Sequence, residues 1–305
     1  MSIEERTRLV KSNAHALGFS FCGISEAVFL EEEAPRLETW LRRGYAGKMS
    51  YLEKNLDKRL DPRQLVPGAR SVVSLLYNYH PAEPLQQDYK ISSYAYGEDY
   101  HGVIKDLLYR FMEQLREAVG DIQGRVFVDS APVMERVWAA RSGTGWIGKN
   151  SLLLNRQSGS FFFLAELILD LPLLADGPTK DYCGTCTACM DACPTGAIPE
   201  PYVVNGSACI SYFTIELREE IPAAYRGKFD AWMFGCDICQ EVCPWNRFAR
   251  PHAEPRFMPR AELKEMTASD WKELTQDVFD RLFEGSAVQR AGYEGLRRNI
   301  RFLSE

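Results

Sequence analysis

Apolar residues recur at helical spacing over residues 3–17 and Gly18 follows as a stop, so the chain is expected to open with a helix. Residues 19–24 read as a short strand, and residues 35–43 and 48–55 carry helical patterns. Asp61-Pro62 and Pro67-Gly68 then punctuate a loop. SVVSLLYNY, residues 71–79, is apolar and β-branched, the pattern of a buried strand. Residues 81–100 are polar, rich in tyrosine and aperiodic, which predicts an irregular surface or binding segment. An amphipathic helix is expected over 100–119, a strand over 126–128 and a helix over 132–142. Two further strands are expected, over 151–154 and 161–169.

This irregular alternation up to residue 175 predicts an α+β or α/β fold about a central sheet. Gly177-Pro178 opens a cysteine-rich region that ends near Pro244. Helical patterning returns from Ala261, with Thr267 and Ser269 as candidate caps. The chain therefore divides into residues 1–175, 176–250 and 251–305.

Composition narrows the class. The chain has 305 residues and 46% hydrophobic positions, enough for a sizeable core and unlike disordered or fibrous chains. MSIEERTRLVK has no apolar signal core, and the greasiest stretch, residues 161–175, is broken by Glu166 and Asp170 and too short to cross a bilayer. A cytoplasmic protein with no membrane partner is expected. Of nine cysteines, only Cys22 lies in the first 180 residues, where its apolar strand-like context makes it a small buried hydrophobe. The other eight crowd between Cys183 and Cys243, which in a reducing compartment points to metal.

Their spacing is specific. Cys183-x2-Cys186-x2-Cys189-x3-Cys193-Pro194 is a bacterial-type [4Fe–4S] run, in which three close thiolates hold three corners of one cubane and the fourth serves the other cluster. Cys236-x2-Cys239-x3-Cys243-Pro244 is the partner run, with Cys209 as an isolated upstream thiolate. The eight partition into Cys183, Cys186, Cys189 and Cys243 for one cluster, and Cys193, Cys209, Cys236 and Cys239 for the other. Structural zinc uses CxxC pairs too, but requires neither the three-cysteine run nor the prolines.

Gly143-Thr144-Gly145-Trp146-Ile147-Gly148-Lys149 satisfies two nucleotide-loop patterns. Both need a strand before and a helix after, and here a helical segment precedes and a strand-like one follows. The loop is therefore read as a decoy whose glycines allow a close backbone approach. Asp129 ends a strand and opens a helix, a common place for a catalytic carboxyl, although spacing alone favours a helix cap. His15, His80, His101 and His252 share no ligand spacing and are read as surface or structural. Tyr94, Tyr96 and Tyr100 with Asp99 and His101 form a polar-aromatic patch that suits either core packing or a ligand wall.

Taken together, DPRQLVPGARSVVSL, YAYGEDYH, VDSAPVMER, GTGWIGKN and GCDICQEVCPWN, with both cysteine runs, resemble the epoxyqueuosine reductases. These are cobalamin-dependent iron–sulfur enzymes of tRNA modification, and the resemblance runs over nearly the whole chain. It implies a nitroreductase-like α+β cobalamin-binding catalytic domain, a ferredoxin-like module with two [4Fe–4S] clusters, and a C-terminal helical segment. It implies reduction of epoxyqueuosine to queuosine at the wobble position, with electrons passing through the clusters to cobalamin. It places the proton donor on Asp129, and cobalamin contacts on Arg59, Tyr96, Asp129, Arg141, Lys149, Asn150, Ser211 and Asp237. Family members often continue into helical repeats that grip tRNA, so this chain reads as a short form. An unidentified low-potential electron donor and a monomeric state complete the expectation.

Two physical demands accompany it. Asp129 as an acid near neutral pH would need its pKa raised by two to three units from about 3.9. A chain of formal charge −6 needs a local basic stripe to hold RNA; Arg247, Arg250, Arg256, Arg260, Arg297, Arg298 and Arg301 supply one candidate, a solvated helical face being the alternative. The rival readings are a reductive dehalogenase, usually exported with a twin-arginine leader that is absent here, and a plain iron–sulfur electron carrier whose first 175 residues dock a partner.

Overall fold

The computed structural model describes residues 1–304. Its strands are β1 (Phe21–Glu26), β2 (Ser71–Asn78), β3 (Lys90–Ile91), β4 (Gly124–Phe127), β5 (Trp146–Ile147), β6 (Leu153–Leu154), β7 (Phe162–Leu169) and β8 (Trp232–Phe234). Strands β1, β2, β7 and β4 pair in that order, every pair antiparallel, so the fold is α+β. Strand β2 is buried from Ser71 to Tyr77, as an apolar run covered on both faces requires.

One face of the sheet is covered by α1 (Ile3–Ala16), which starts with a Ser2–Glu5 capping box, and by α4 (Tyr100–Val119). Helix α4 buries Val103, Ile104, Leu107, Leu108, Phe111 and Leu115, the three-and-four spacing of a packed face, and Asp99 caps it by accepting from the His101 N–H. The other face, built on Val72, Phe127 and Ile168, packs against α5 (Glu135–Arg141) through Val137 and Trp138. Side chains alternate along a strand, so Ser74 and Glu166, paired across β2 and β7, point to this same face.

Two expectations need correction here. Residues 48–55 form only a short turn at Ser50–Leu52, because Asn55 is left-handed (φ 55°) and separates it from α3 (Leu56–Leu60); α2 (Glu33–Arg42) lies before it. Residues 82–88 are irregular and mostly exposed, as expected, but from Tyr89 the segment turns inward. Strand β3 pairs in parallel with β8, and Tyr89, Ile91, Ala95 and Tyr96 are buried with Met233 and Phe234.

This second core is roofed by α8 (Ala261–Glu265), α9 (Ala268–Lys272), α10 (Gln276–Leu282) and α11 (Gly292–Ser304), through Leu263, Trp271, Phe279, Leu282, Leu296 and Ile300. Thr267 caps α9 in a reciprocal box with Asp270, whereas Ser269 lies inside that helix. The cysteine loops turn on two four-residue helices, α6 (Ala188–Asp191) and α7 (Ile238–Glu241), which pack together. No helix of the described residues is long and apolar enough to cross a membrane.

Candidate active site

The two cysteine runs interlock. Cys183, Cys186, Cys189 and Cys243 line one cavity of about 200 Å³, with Lys149, Tyr182 and Trp245 around it. On the far side, Cys239 lies within electrostatic reach of Cys209 and Cys193, and Cys236 within reach of Cys209 and Cys239. None of the nine cysteines is in a disulfide. The donor set fits two cubanes.

The glycine loop serves this centre. Trp146 Nε1–H donates to Cys183 Sγ (3.4 Å), and the Ala197 N–H donates to Cys193 Sγ (3.3 Å). Lys149 Nζ donates to the carbonyls of Gly184 (2.7 Å) and Cys186 (2.9 Å), tying down the first cysteine loop. Asn150 Nδ2 donates to the Cys239 carbonyl (3.1 Å). What the glycines approach closely is their own chain: a Cβ on Gly145 would lie 2.2 Å from the Leu154 carbonyl oxygen. Helix α5 precedes the loop, and β5 and β6 pair across it, so it offers no helix N-terminus to a phosphate.

Asp129 sits just past β4 with φ 54°, the left-handed region that a side chain resists. Its carboxyl, 60% exposed, accepts from Tyr100 Oη (2.7 Å) and lies 3.3 Å from His101 Nε2. The other ring nitrogen of His101 is 2.7 Å from Asp99 Oδ1, so the imidazole bridges two carboxylates. An aromatic wall leads from here toward the inner cysteines. Tyr100 stacks on Phe163 (4.2 Å), Phe163 meets Tyr79 (4.5 Å), and Tyr79 Oη bonds Gln240 in α7. Tyr94 is within electrostatic reach of Asp129, Asp237 and Glu216 at once.

Comparison with known proteins places this arrangement. The sequence profile of a 4Fe-4S double cluster binding domain matches residues 182–246, and that of the epoxyqueuosine reductase QueG family (DUF1730) matches residues 59–130. An epoxyqueuosine reductase of Leadbetterella byssophila is 61% identical over 304 residues, covering 99% of this chain and 100% of that protein. The chain belongs to the epoxyqueuosine reductase family. A solved selenomethionine-labelled epoxyqueuosine reductase matches it with a TM-score of 0.92 at 28% identity, over 99% of this chain and 82% of that one. A solved epoxyqueuosine reductase with a tRNA-Tyr epoxyqueuosine-modified stem loop matches at 0.91 and 28%, over 99% and 81%.

The cofactors of an epoxyqueuosine reductase are two [4Fe–4S] clusters and cobalamin, and the residues named from the sequence divide between them. Lys149 and Asn150 are buried and committed to the cysteine loops. Ser211 donates to the Cys209 thiol and precedes a single π-helical turn, Tyr212–Glu216. Asp237 is buried and accepts from Ser92 Oγ, Ser93 Oγ (2.8 Å) and the Ser93 N–H (2.8 Å); burial raises its pKa while these bonds oppose the rise. Tyr96 is buried and accepts from the Leu85 N–H (3.2 Å). Arg59 and Arg141 stand apart from these. Arg59 donates to the Tyr51 carbonyl, and its buried Nε has no partner. Such an orphaned donor suits an amide- or phosphate-bearing ligand, so Arg59 fits cobalamin. Arg141 lies 5.8 Å from the Trp138 ring.

The expected shift of Asp129 runs the other way. The His101 hydrogen bond holds its carboxyl below the usual range, outweighing burial, with Tyr100 assisting. The proton resides on the partner: burial by itself would lower His101, but its bonds to Asp129 and Asp99 push it up to about 9. His101, read from the sequence as surface or structural and as part of the polar-aromatic patch, lies against Asp129. The available signal was its placement in α4 two residues after Asp99, beside Tyr100.

The seven arginines do not make one stripe. Arg298 is buried and donates to the carbonyls of Phe213, Leu217 and Glu219. Arg256 pairs with Glu254, Arg260 binds the Arg281 and Glu284 carbonyls, and Arg301 pairs with Glu220. Arg247, Arg250 and Arg297 remain exposed without an ion pair among the described residues.

Proposed function

We propose that this chain reduces epoxyqueuosine to queuosine in the anticodon of a tRNA, in the cytoplasm, with Asp129 as the group that protonates the departing oxygen. The reaction consumes two electrons and two protons, breaks two C–O bonds of the epoxide, forms the alkene and releases one water. Bound cobalamin supplies the low-valent metal chemistry that engages the substrate. Residues 1–175 would hold it, with Arg59 and Arg141 among its contacts, and residues 176–250 would hold the clusters. Within the proposed segment 251–305, helices α8 to α11 roof β3 and β8.

The observation that carries the role of Asp129 is its hydrogen-bonded cluster with His101 and Tyr100 (3.3 and 2.7 Å) on an accessible loop. Protonated His101 is the reserve: Nε2 passes its proton to the Asp129 carboxylate, which delivers it to the departing oxygen, and Asp99 steadies the imidazole throughout. A hydrogen-bonded pair of this kind delivers protons at neutral pH without the aspartate alone having to be protonated at rest. The electron donor is proposed to be a low-potential carrier, and the chain to act as a monomer.

Anaerobic turnover of epoxyqueuosine-containing tRNA with cobalamin and a strong reductant tests the reading. Nucleoside mass analysis is expected to show conversion to queuosine by loss of one oxygen. Unchanged epoxyqueuosine with a corrinoid-loaded, iron-replete enzyme would overturn it.

A further inference from the structure

Behind Asp129 lies a group that the reaction as described leaves unused. Glu166 sits in the middle of β7, directly across from Ser74 of β2 and Phe127 of β4, and is 0% exposed. The Glu135 carboxyl is the one group close enough among the described residues to share a hydrogen bond with it, and Ser74 Oγ, also 0% exposed, has no partner. A carboxyl at the centre of an apolar sheet, with no cation beside it, is costly unless it serves something. The charged and titratable groups facing it come from α5 and the loop before it. Glu135 is adjacent, Asp129 lies beyond, and Arg136 is drawn away to the Ser151 carbonyl (2.5 Å). Strands β2 and β4 present only Ser74 and Phe127 at this position.

Glu135 connects the buried group to the loop. Its Oε1 accepts the backbone N–H of Asp129 at 2.5 Å. Asp129 holds a left-handed φ of 54°, and the segment from Val128 to Met134 has no regular structure. Within it, only this bond ties loop backbone to a side chain outside the loop among the described residues.

We propose that Glu135 is a positioning residue, a latch that holds the Asp129 loop in its working conformation, with the buried Glu166 carboxyl as its backing. This rests on the role given to Asp129 above. Burial, reinforced by the negative charge of Asp129 and opposed by hydrogen bonds from the Asp129 amide and Glu166 and by the charge of Arg136, pushes Glu135 up to about 8; burial, reinforced by the neighbouring Glu135, raises Glu166 well above the usual range. A neutral Glu135 accepts the Asp129 amide without setting a second negative charge beside the Asp129 carboxylate, which would compete for the His101 proton.

The test uses the full-length, cofactor-loaded enzyme. Glu135→Ala is expected to lower kcat roughly 100-fold, the scale of a small misplacement of a catalytic group. The KM for tRNA should hold within about twofold, and exchange of the Asp129 amide hydrogen should accelerate. Glu135→Gln keeps the acceptor and should restore both kcat and amide protection to within about threefold of the native values. Glu166→Gln is expected to gain more in Tm over the native enzyme at pH 8 than at pH 5. The signs follow from the raised pKa: the unfolded carboxyl ionises above about 4.3 while the folded one keeps its proton, so native stability falls as pH rises and the amide variant is spared that fall. Native exchange and turnover in Glu135→Ala, or failure of Gln to rescue, would overturn the latch, and an unchanged pH slope in Glu166→Gln would overturn the neutral backing. If Asp129→Asn stays active while Glu135→Ala still loosens the amide, the latch stands and the role of Asp129 falls.

Discussion

His101 Nε2 lies 3.3 Å from Asp129 Oδ2, and the opposite ring nitrogen lies 2.7 Å from Asp99 Oδ1. An imidazole held between two carboxylates is a proton store with one outlet, since Asp99 caps α4 and cannot move, while Asp129 rides on a loop. This pairing settles which group holds the proton at neutral pH.

Removing the outlet should stop the chemistry and spare the cofactors. Asp129→Asn is expected to retain iron, sulfide and cobalamin while turnover falls by about 10²–10⁴, the range for loss of general acid catalysis. Metal analysis, the visible spectrum and single-turnover kinetics measure the two halves of that outcome.

Removing the store should appear in the pH dependence of stability. His101 has a folded pKa of about 9 against an ordinary value near 6.5. Its contribution is therefore complete below about 6.5 and lost as pH rises through 9. His101→Gln should flatten the fall in Tm across that window relative to the native enzyme. It should also slow turnover more at pH 8 than at pH 6, where solvent protons substitute more readily.

The crossed ligand sets make a counting prediction. Cys243 belongs to the second run but lies within reach of Cys183, Cys186 and Cys189. Cys243→Ala should strip the cluster of the first run, and Cys193→Ala that of the second. Each should take iron from eight to about four per chain, two cubanes to one. Electron paramagnetic resonance of the reduced variants distinguishes which cluster remains.

The arginines separate into structural and free groups. Arg298→Met removes a buried donor to three carbonyls and should cost about 2–4 kcal/mol of stability, read by denaturant unfolding. Arg247→Ala and Arg297→Ala should leave stability nearly unchanged. If these two touch phosphate, each should lower the slope of log affinity for tRNA against log salt by about one.

The chain by itself determined the parts that are local. A cubane takes three thiolates from one tight loop, so the runs at Cys183 and Cys236 pointed to two clusters, with a crossed ligand set as the expectation, before any fold was known. Helix α4 and strands β2 and β7 were legible because their apolar periodicity is the cause of their burial. Strand β3 was not, since two residues hidden in a polar, tyrosine-rich stretch become a strand only when β8 arrives from 140 residues away.

The tertiary structure alone decided the chemistry around Asp129. His101 comes from α4, Glu135 from α5 and Glu166 from β7, and antiparallel register brings Glu166 and Ser74 face to face. In the sequence Glu166 was merely a break in a greasy run. Lys149, expected at cobalamin, and Arg298, expected in a phosphate-binding stripe, donate to backbone carbonyls. The division has one physical reason: ligand loops are encoded by spacing over a few residues, whereas the charge state of a carboxyl is set by whatever the fold packs against it.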